Sequence, residues 1–210
     1  MTDGVKNAVF QIYEFAAPFL PFAVIWWMLF VRYGEKTRRN AANLAILFVY
    51  GLYVAEVFHI TGSGTLYDLL RTGIDVHGNV IPFAEDNRNL IGYALNTLML
   101  TPFGFLLPML WKDCRGALRV TAAGAAFSLL IELSQLLNFR SPDVDDLIFN
   151  TLGAWIGYGV YKLLPLAGSR FDIGRRAYFP AEWALCTALL FAGRFVLFDG
   201  LGAARLLYGF

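Results

Sequence analysis

Between positions 89 and 164 three long apolar stretches carry a sparse set of polar side chains whose spacing could support chemistry. Ser128, Glu132 and Gln135 lie four and three residues apart, which on a helix places them in one narrow stripe. A carboxylate held in a membrane helix costs about 3 kcal/mol or more unless it meets a partner or a water-filled cavity. Glu132 is therefore expected to face protein or water, with lipid excluded from that face. Three roles fit it: a general acid or base toward a bound substrate, a partner for Arg140 or another cation, or one half of an interhelical hydrogen-bonded clamp. The residue types leave these open. Asn96, in the stretch before, needs partners for the same reason and can bond across to the Glu132 helix.

The turn that follows, 138–146, holds Arg140, Asp143, Asp145 and Asp146, with Asn150 one turn further on. Capping accounts for part of it: Ser141 or Asp143 can close a helix N-terminus, Pro142 suits a first turn, and carboxylates there complement the helix dipole. One or two such groups would suffice, so the surplus points to a ligand: a divalent cation on Asp143, Asp145 and Asp146, or a cationic or sugar-like headgroup. The spacing matches no EF-hand loop or other strict metal motif, and no metal site or cofactor is assigned. Asp146, Asn150, Gly153 and Gly157 share one helical face, polar at one end and small below, suited to a close small-xxx-small contact with the two preceding helices. Pro102 and Gly104 read as helix geometry, the proline freeing a carbonyl one turn earlier and the glycine admitting a neighbour. The candidate ligand-binding set is Asn96, Ser128, Glu132, Gln135, Arg140, Asp143, Asp145, Asp146 and Asn150; no catalytic residue is assigned.

The elements that must position these groups are membrane helices. Of 210 residues 58% are hydrophobic and 16% charged, with a mean hydropathy of +0.54, too apolar for an ordinary soluble domain. A net charge of +1 supplies no basic patch for nucleic acid. The expected fold is all-α, a polytopic bundle of about six spans near 10–31, 41–60, 90–111, 117–138, 147–166 and 181–198, forming a single integral-membrane domain over 1–210. The first run is long for a cleaved signal and reads as a retained anchor. No internal repeat or low-complexity tract is evident.

Lysines and arginines cluster in alternate connections, at 32–39, 112–119 and 162–176, which assigns that side to the cytoplasm and both termini to the outside. Glu14, Glu56, His59 and Arg194 then fall toward the outer ends of their helices, either snorkelling separately or joining the polar set. Cys114 and Cys186 fall toward the inner side, where a structural disulfide is not expected. The long outer loop alternates over 73–83 around His77 and Gly78, the pattern of a small hairpin between spans two and three. The basic segment 168–177 suits the inner headgroups.

The ordered run Asn96-x5-Pro102-x-Gly104, Ser128-x2-Ile131-Glu132-x2-Gln135 and Arg140-x2-Asp143-x-Asp145-Asp146-x3-Asn150-Thr151-x-Gly153-x3-Gly157-Tyr158 resembles the VanZ-like membrane protein family. The resemblance covers about 80–165, departs at Leu100, where phenylalanine is frequent, and leaves 166–210 as an additional C-terminal span. It implies a multi-pass protein of the bacterial cytoplasmic membrane whose namesake is linked to low-level teicoplanin resistance, and it supplies no reaction. The expected function is binding of a membrane lipid or lipid-linked envelope component at the outer leaflet, with an effect on glycopeptide access. The alternative is a membrane enzyme on such a substrate, using Glu132 and the Asp143, Asp145 and Asp146 loop, although no Ser-His-Asp set or HExxH is present. A small transporter is a third reading, and a purely structural bundle a fourth. No nucleic acid and no protein partner is indicated.

Overall fold

Hydrophobic runs near 20 residues fold as helices, because in lipid every backbone donor must be satisfied within the segment. The computed structural model describes residues 2–33, 41–74, 78–84, 89–138, 140–163, 174, 177 and 181–209, and among these every regular element is helical. In chain order they are α1 (Asp3–Tyr33), α2 (Ala41–Ile60), α3 (Leu66–Thr72), α4 (Leu90–Leu110), a single 3-10 turn at Lys112–Cys114, α5 (Ala117–Gln135), α6 (Val144–Leu163), α7 (Glu182–Leu197) and α8 (Gly200–Tyr208). Each of the six expected apolar segments coincides with one of these helices over most of its described length.

Length and composition alone qualify fewer than six of the described helices as spans. Four of them, α1, α2, α4 and α5, are long and apolar enough to cross a membrane, or five crossings if α7 and α8, bent 47° at their junction, act as one. At 16 residues, α7 reaches only about 24 Å, short of a hydrocarbon core of about 30 Å. The 20 residues of α6 are long enough, but Asp145, Asp146 and Lys162 at its ends and three glycines within it dilute its apolarity. It tolerates this because α4 and α5 cover one of its faces.

That face is built from absent side chains. A Cβ at Gly104 of α4 would fall on the Ala154 carbonyl of α6, and Cβ atoms at Gly153 and Gly157 would fall on the carbonyls of Thr97 and Thr101. Gly124 of α5 admits the Ala154 methyl from the other side. Helices this close gain dispersion along their length, the main driving force where lipid removes the hydrophobic one. Around this seam Tyr50, Phe58, Leu100, Phe103, Leu107, Trp111 and Phe127 form the core, with Phe103 and Phe127 rings 4.9 Å apart and Tyr50 edge-on to Trp111 at 5.4 Å. Pro102 and Pro108 lie inside an unbroken α4; one turn before Pro102 the Met99 carbonyl accepts the Tyr53 hydroxyl at 2.7 Å.

The outer loop opens with a helix ahead of the expected hairpin. Its first part is the helix α3, started by Thr65, whose hydroxyl accepts the Asp68 amide while the Asp68 carboxylate accepts the Thr65 amide, a reciprocal cap. Among the described residues no strand forms. The one bridge among them pairs Asn79 with Asp143 in parallel, so the segment from Gly78 docks on the turn before α6. The proposed hairpin tip, including His77, lies outside the described residues, as do Lys36, Arg38, Arg39, Arg170, Arg175 and Arg176 of the basic clusters.

Candidate functional site

The α5 stripe is buried as its spacing requires, with Ser128, Glu132 and Gln135 all under a tenth exposed. Each is held from a different direction. The Ser128 hydroxyl accepts the Asn150 side-chain amide of α6 at 3.0 Å. Glu132 Oε2 accepts the Asp143 backbone amide at 2.9 Å. The Gln135 amide donates to the Thr61 carbonyl at 3.0 Å, where the chain leaves α2. That exit turns on Gly62, at φ +59, a left-handed conformation that favours glycine; a Cβ there would meet the Arg140 guanidinium at 2.8 Å. Asn138 donates to the Gly62 carbonyl at 2.6 Å, so the end of α2 and the turn after α5 form one rim with Arg140 over it.

From α4, Asn96 donates its side-chain amide to Asp146. Six of the nine expected residues, Asn96, Glu132, Gln135, Arg140, Asp146 and Asn150, line one cavity of about 520 Å³ enclosed by α2, α4, α5 and α6. The other three do not. Ser128 stands behind Asn150, and Asp143 turns to the docked loop, accepting from the Asn79 side chain at 3.2 Å. Asp145 is fully buried and accepts the Tyr93 hydroxyl at 2.6 Å and the Phe83 amide at 3.0 Å. The three aspartates therefore diverge, and among the described residues no three histidine, cysteine or acidic side chains gather to hold a metal.

The cavity also takes residues that sequence reasoning left out of the candidate set. Glu56 lines it from α2, bringing a third carboxylate to face the one guanidinium; its position toward the outer end of its helix was the available signal. Tyr53, Val57, Ile60, Leu95, Leu98 and Met99 form the apolar wall. Of these Ile60, Leu95 and Leu98 are 56, 59 and 67% exposed, so the wall is continuous with the apolar outer surface between α2 and α4. At the other end, Asn150 is 1% exposed and its Oδ1 has no hydrogen-bond partner, an acceptor left waiting in a desolvated place. On the far side of α5 a second cavity of about 310 Å³ runs beneath Asn79 and Pro142, and Glu132 borders this one as well.

Glu14, His59 and Arg194 do not snorkel separately. Glu14 Oε1 meets Arg194 at 3.1 Å and His59 Nδ1 at 2.6 Å, tying α1, α2 and α7 together with Glu14 and Arg194 both buried. None of the three lines the cavity. Tyr13 adds to this set, donating to the Leu197 carbonyl at 2.5 Å and accepting the Asp199 amide at 2.7 Å.

The cavity thus offers hydrogen bonds, negative charge and an apolar wall. None of its lining residues is a serine or cysteine, and Thr61 alone carries an aliphatic hydroxyl there, already donating to the Val57 carbonyl at 2.7 Å. Compared with known proteins, the chain matches no curated protein and no solved structure, whereas a family model does match, over residues 57–165. The match begins before the motif that first suggested it and takes in the end of α2 with Val57, Ile60 and Thr61, three residues of the cavity wall. It spans just over half of the chain, and with several helices long and apolar enough to cross a bilayer, it establishes the chain as a multi-pass membrane protein of the VanZ/LLP1 family.

Proposed function

We propose that this VanZ/LLP1 protein binds a membrane amphiphile, its head against Asn96, Glu132, Asp146 and Asn150 and its chain leaving between α2 and α4. The observation that carries the reading is the continuity of one cavity from a polar floor to exposed Ile60, Leu95 and Leu98. A soluble ligand would gain nothing from an opening of that kind, whereas each methylene of an acyl chain laid along it is already in an apolar medium. We place the cavity in the outer leaflet, on the lysine and arginine distribution, and assign the protein an envelope role in which lipid binding alters the access of lipoglycopeptides to their lipid-linked targets.

Photolabelling tests the binding. A phospholipid carrying a diazirine in its acyl chain, reconstituted with the protein and irradiated, is expected to label peptides containing Ile60, Leu95 and Leu98, and Leu98→Trp is expected to reduce that labelling severalfold by filling the opening. Label spread evenly over the exposed faces of α1 and α5, with no excess at these positions, would end the reading. The envelope role is tested by growth in teicoplanin: expression should shift susceptibility, and Glu132→Ala with Asp146→Ala should return it to the vector level while the protein remains in the membrane. The leaflet is tested by a Ser141→Cys variant, which an impermeant maleimide should label from outside intact cells.

A further inference from the structure

The charges of the cavity are arranged in depth as well as number. Three carboxylates, Glu56, Glu132 and Asp146, line it together with a single guanidinium, Arg140. Glu56 makes no hydrogen bond or ion pair to a described residue, and Glu132 uses only Oε2. Arg140 lies at the exposed rim over Gly62, and no described carboxylate pairs with it. Deeper in, the unpartnered Asn150 Oδ1 is an acceptor that no protein donor reaches. The unfilled carboxylate oxygens and the Asn150 Oδ1 of the floor accept, and the unfilled guanidinium on the rim donates. Buried acceptors left unmatched are costly, and carboxylates in a region of low dielectric more so, so the group that completes this floor is a cation with N–H donors. The group that completes the rim is an anion, for which a guanidinium offers a planar fork suited to phosphate.

Resting on the reading that the cavity holds an amphiphile, we propose that the ligand is an aminophospholipid: a primary ammonium on the Glu56, Asp146 and Asn150 floor, its phosphate on Arg140, and its acyl chains over Leu95 and Leu98. A quaternary ammonium carries the same charge without N–H donors and satisfies none of the acceptors. A glycerol headgroup brings hydroxyl donors but no cation. The apolar opening requires the chains, which separates the lipid from its free headgroup.

Native mass spectrometry of the purified full chain in detergent, titrated with dioleoyl phosphatidylethanolamine, phosphatidylcholine and phosphatidylglycerol, tests this. Retention of the ethanolamine lipid should exceed the other two about tenfold, the worth of one charge-assisted hydrogen bond. Glu56→Gln with Asp146→Asn should bring the three lipids level, whereas Arg140→Gln should weaken ethanolamine and glycerol lipids by the same factor and preserve their ratio. sn-Glycero-3-phosphoethanolamine, the headgroup alone, should fail to displace the lipid at equal concentration. Equal retention of the three lipids by the wild type, or a preference untouched by the double substitution, overturns the inference, and displacement by the free headgroup overturns its lipid part. Diazirine labelling at Leu95 and Leu98 that survives those results leaves the amphiphile reading standing, so the two fail separately. The double-variant protein is compared by its thermal unfolding with wild type, and Glu56→Gln alone, at a residue without a protein partner, serves as the second variant and should lower the ethanolamine preference by itself.

Discussion

Asp145 and Glu56 show how differently two carboxylates of one helical end are used. Asp145 is completely enclosed and holds the Tyr93 hydroxyl and the Phe83 amide, so Asp145→Ala strands one buried and one partly buried donor and should cost about 1–3 kcal/mol. Tyr93→Phe removes one donor and should cost about 1 kcal/mol, and Glu56→Gln should leave stability within about 0.5 kcal/mol; unfolding in detergent followed by circular dichroism ranks the three. Cys114, in the turn between α4 and α5, makes a different point. Burial, with Asp113 nearby, pushes its thiol up to about 11, against an ordinary value of about 8.5. The unfolded chain therefore releases this proton earlier than the folded one, so stability should be flat below about pH 8 and fall as pH rises toward 11. N-ethylmaleimide labelling of the folded protein should be slow at pH 7.5 and accelerate about tenfold per pH unit. At this scale the sequence was readable where a polar residue stood alone in an apolar helix, as with Asn96 and Glu132. It was not readable for Asp145, because its partners lie 52 and 62 positions away and nothing local distinguishes it from Asp146.

Between elements the decisive contacts are backbone on backbone. Gly104, Gly153 and Gly157 let α4 and α6 touch, and a side chain at any of them must push a carbonyl, which no rotamer change relieves. Gly104→Val should cost about 3 kcal/mol or more, or abolish expression. Gly159→Ala, on α6 with open space around its missing Cβ, should be neutral to stabilising. Thermal unfolding of the pair in one detergent checks both. The seam itself was legible, since Gly153 and Gly157 repeat at four residues on the face that carries Asp146 and Asn150. Alternation in 73–83 reports what a strand would bury and not which chain it pairs with; of the expected hairpin the described residues show Asn79 paired with the turn at Asp143. The helix α3 announced itself only through Thr65 and Asp68, a capping signal with just seven residues behind it.

Over the whole molecule, α4, α5 and α6 surround the cavity with α2, and α1 and α7 join them from the side. The second group is locked by charge. Arg194→Ala leaves Glu14 buried beside His59 alone and should cost about 3–5 kcal/mol, whereas Glu14→Gln with Arg194→Met removes both charges and should cost far less; a double-variant cycle on the unfolding midpoint separates them. Length and composition qualify four or five of the six expected spans, and a helix such as α6, sheltered by its neighbours, need not be apolar all round.

Glu132 forms a partition between two chambers, one facing α2 and α4 and the other beneath Asn79 and Pro142. It is the one described residue that borders both, and it is fastened through the Asp143 amide to the very turn on which the outer loop is laid. Pressure from an occupant in either compartment bears on the same fastening, so filling one should be felt in the amide exchange of Asp143 and of Asn79 at the molecule's surface.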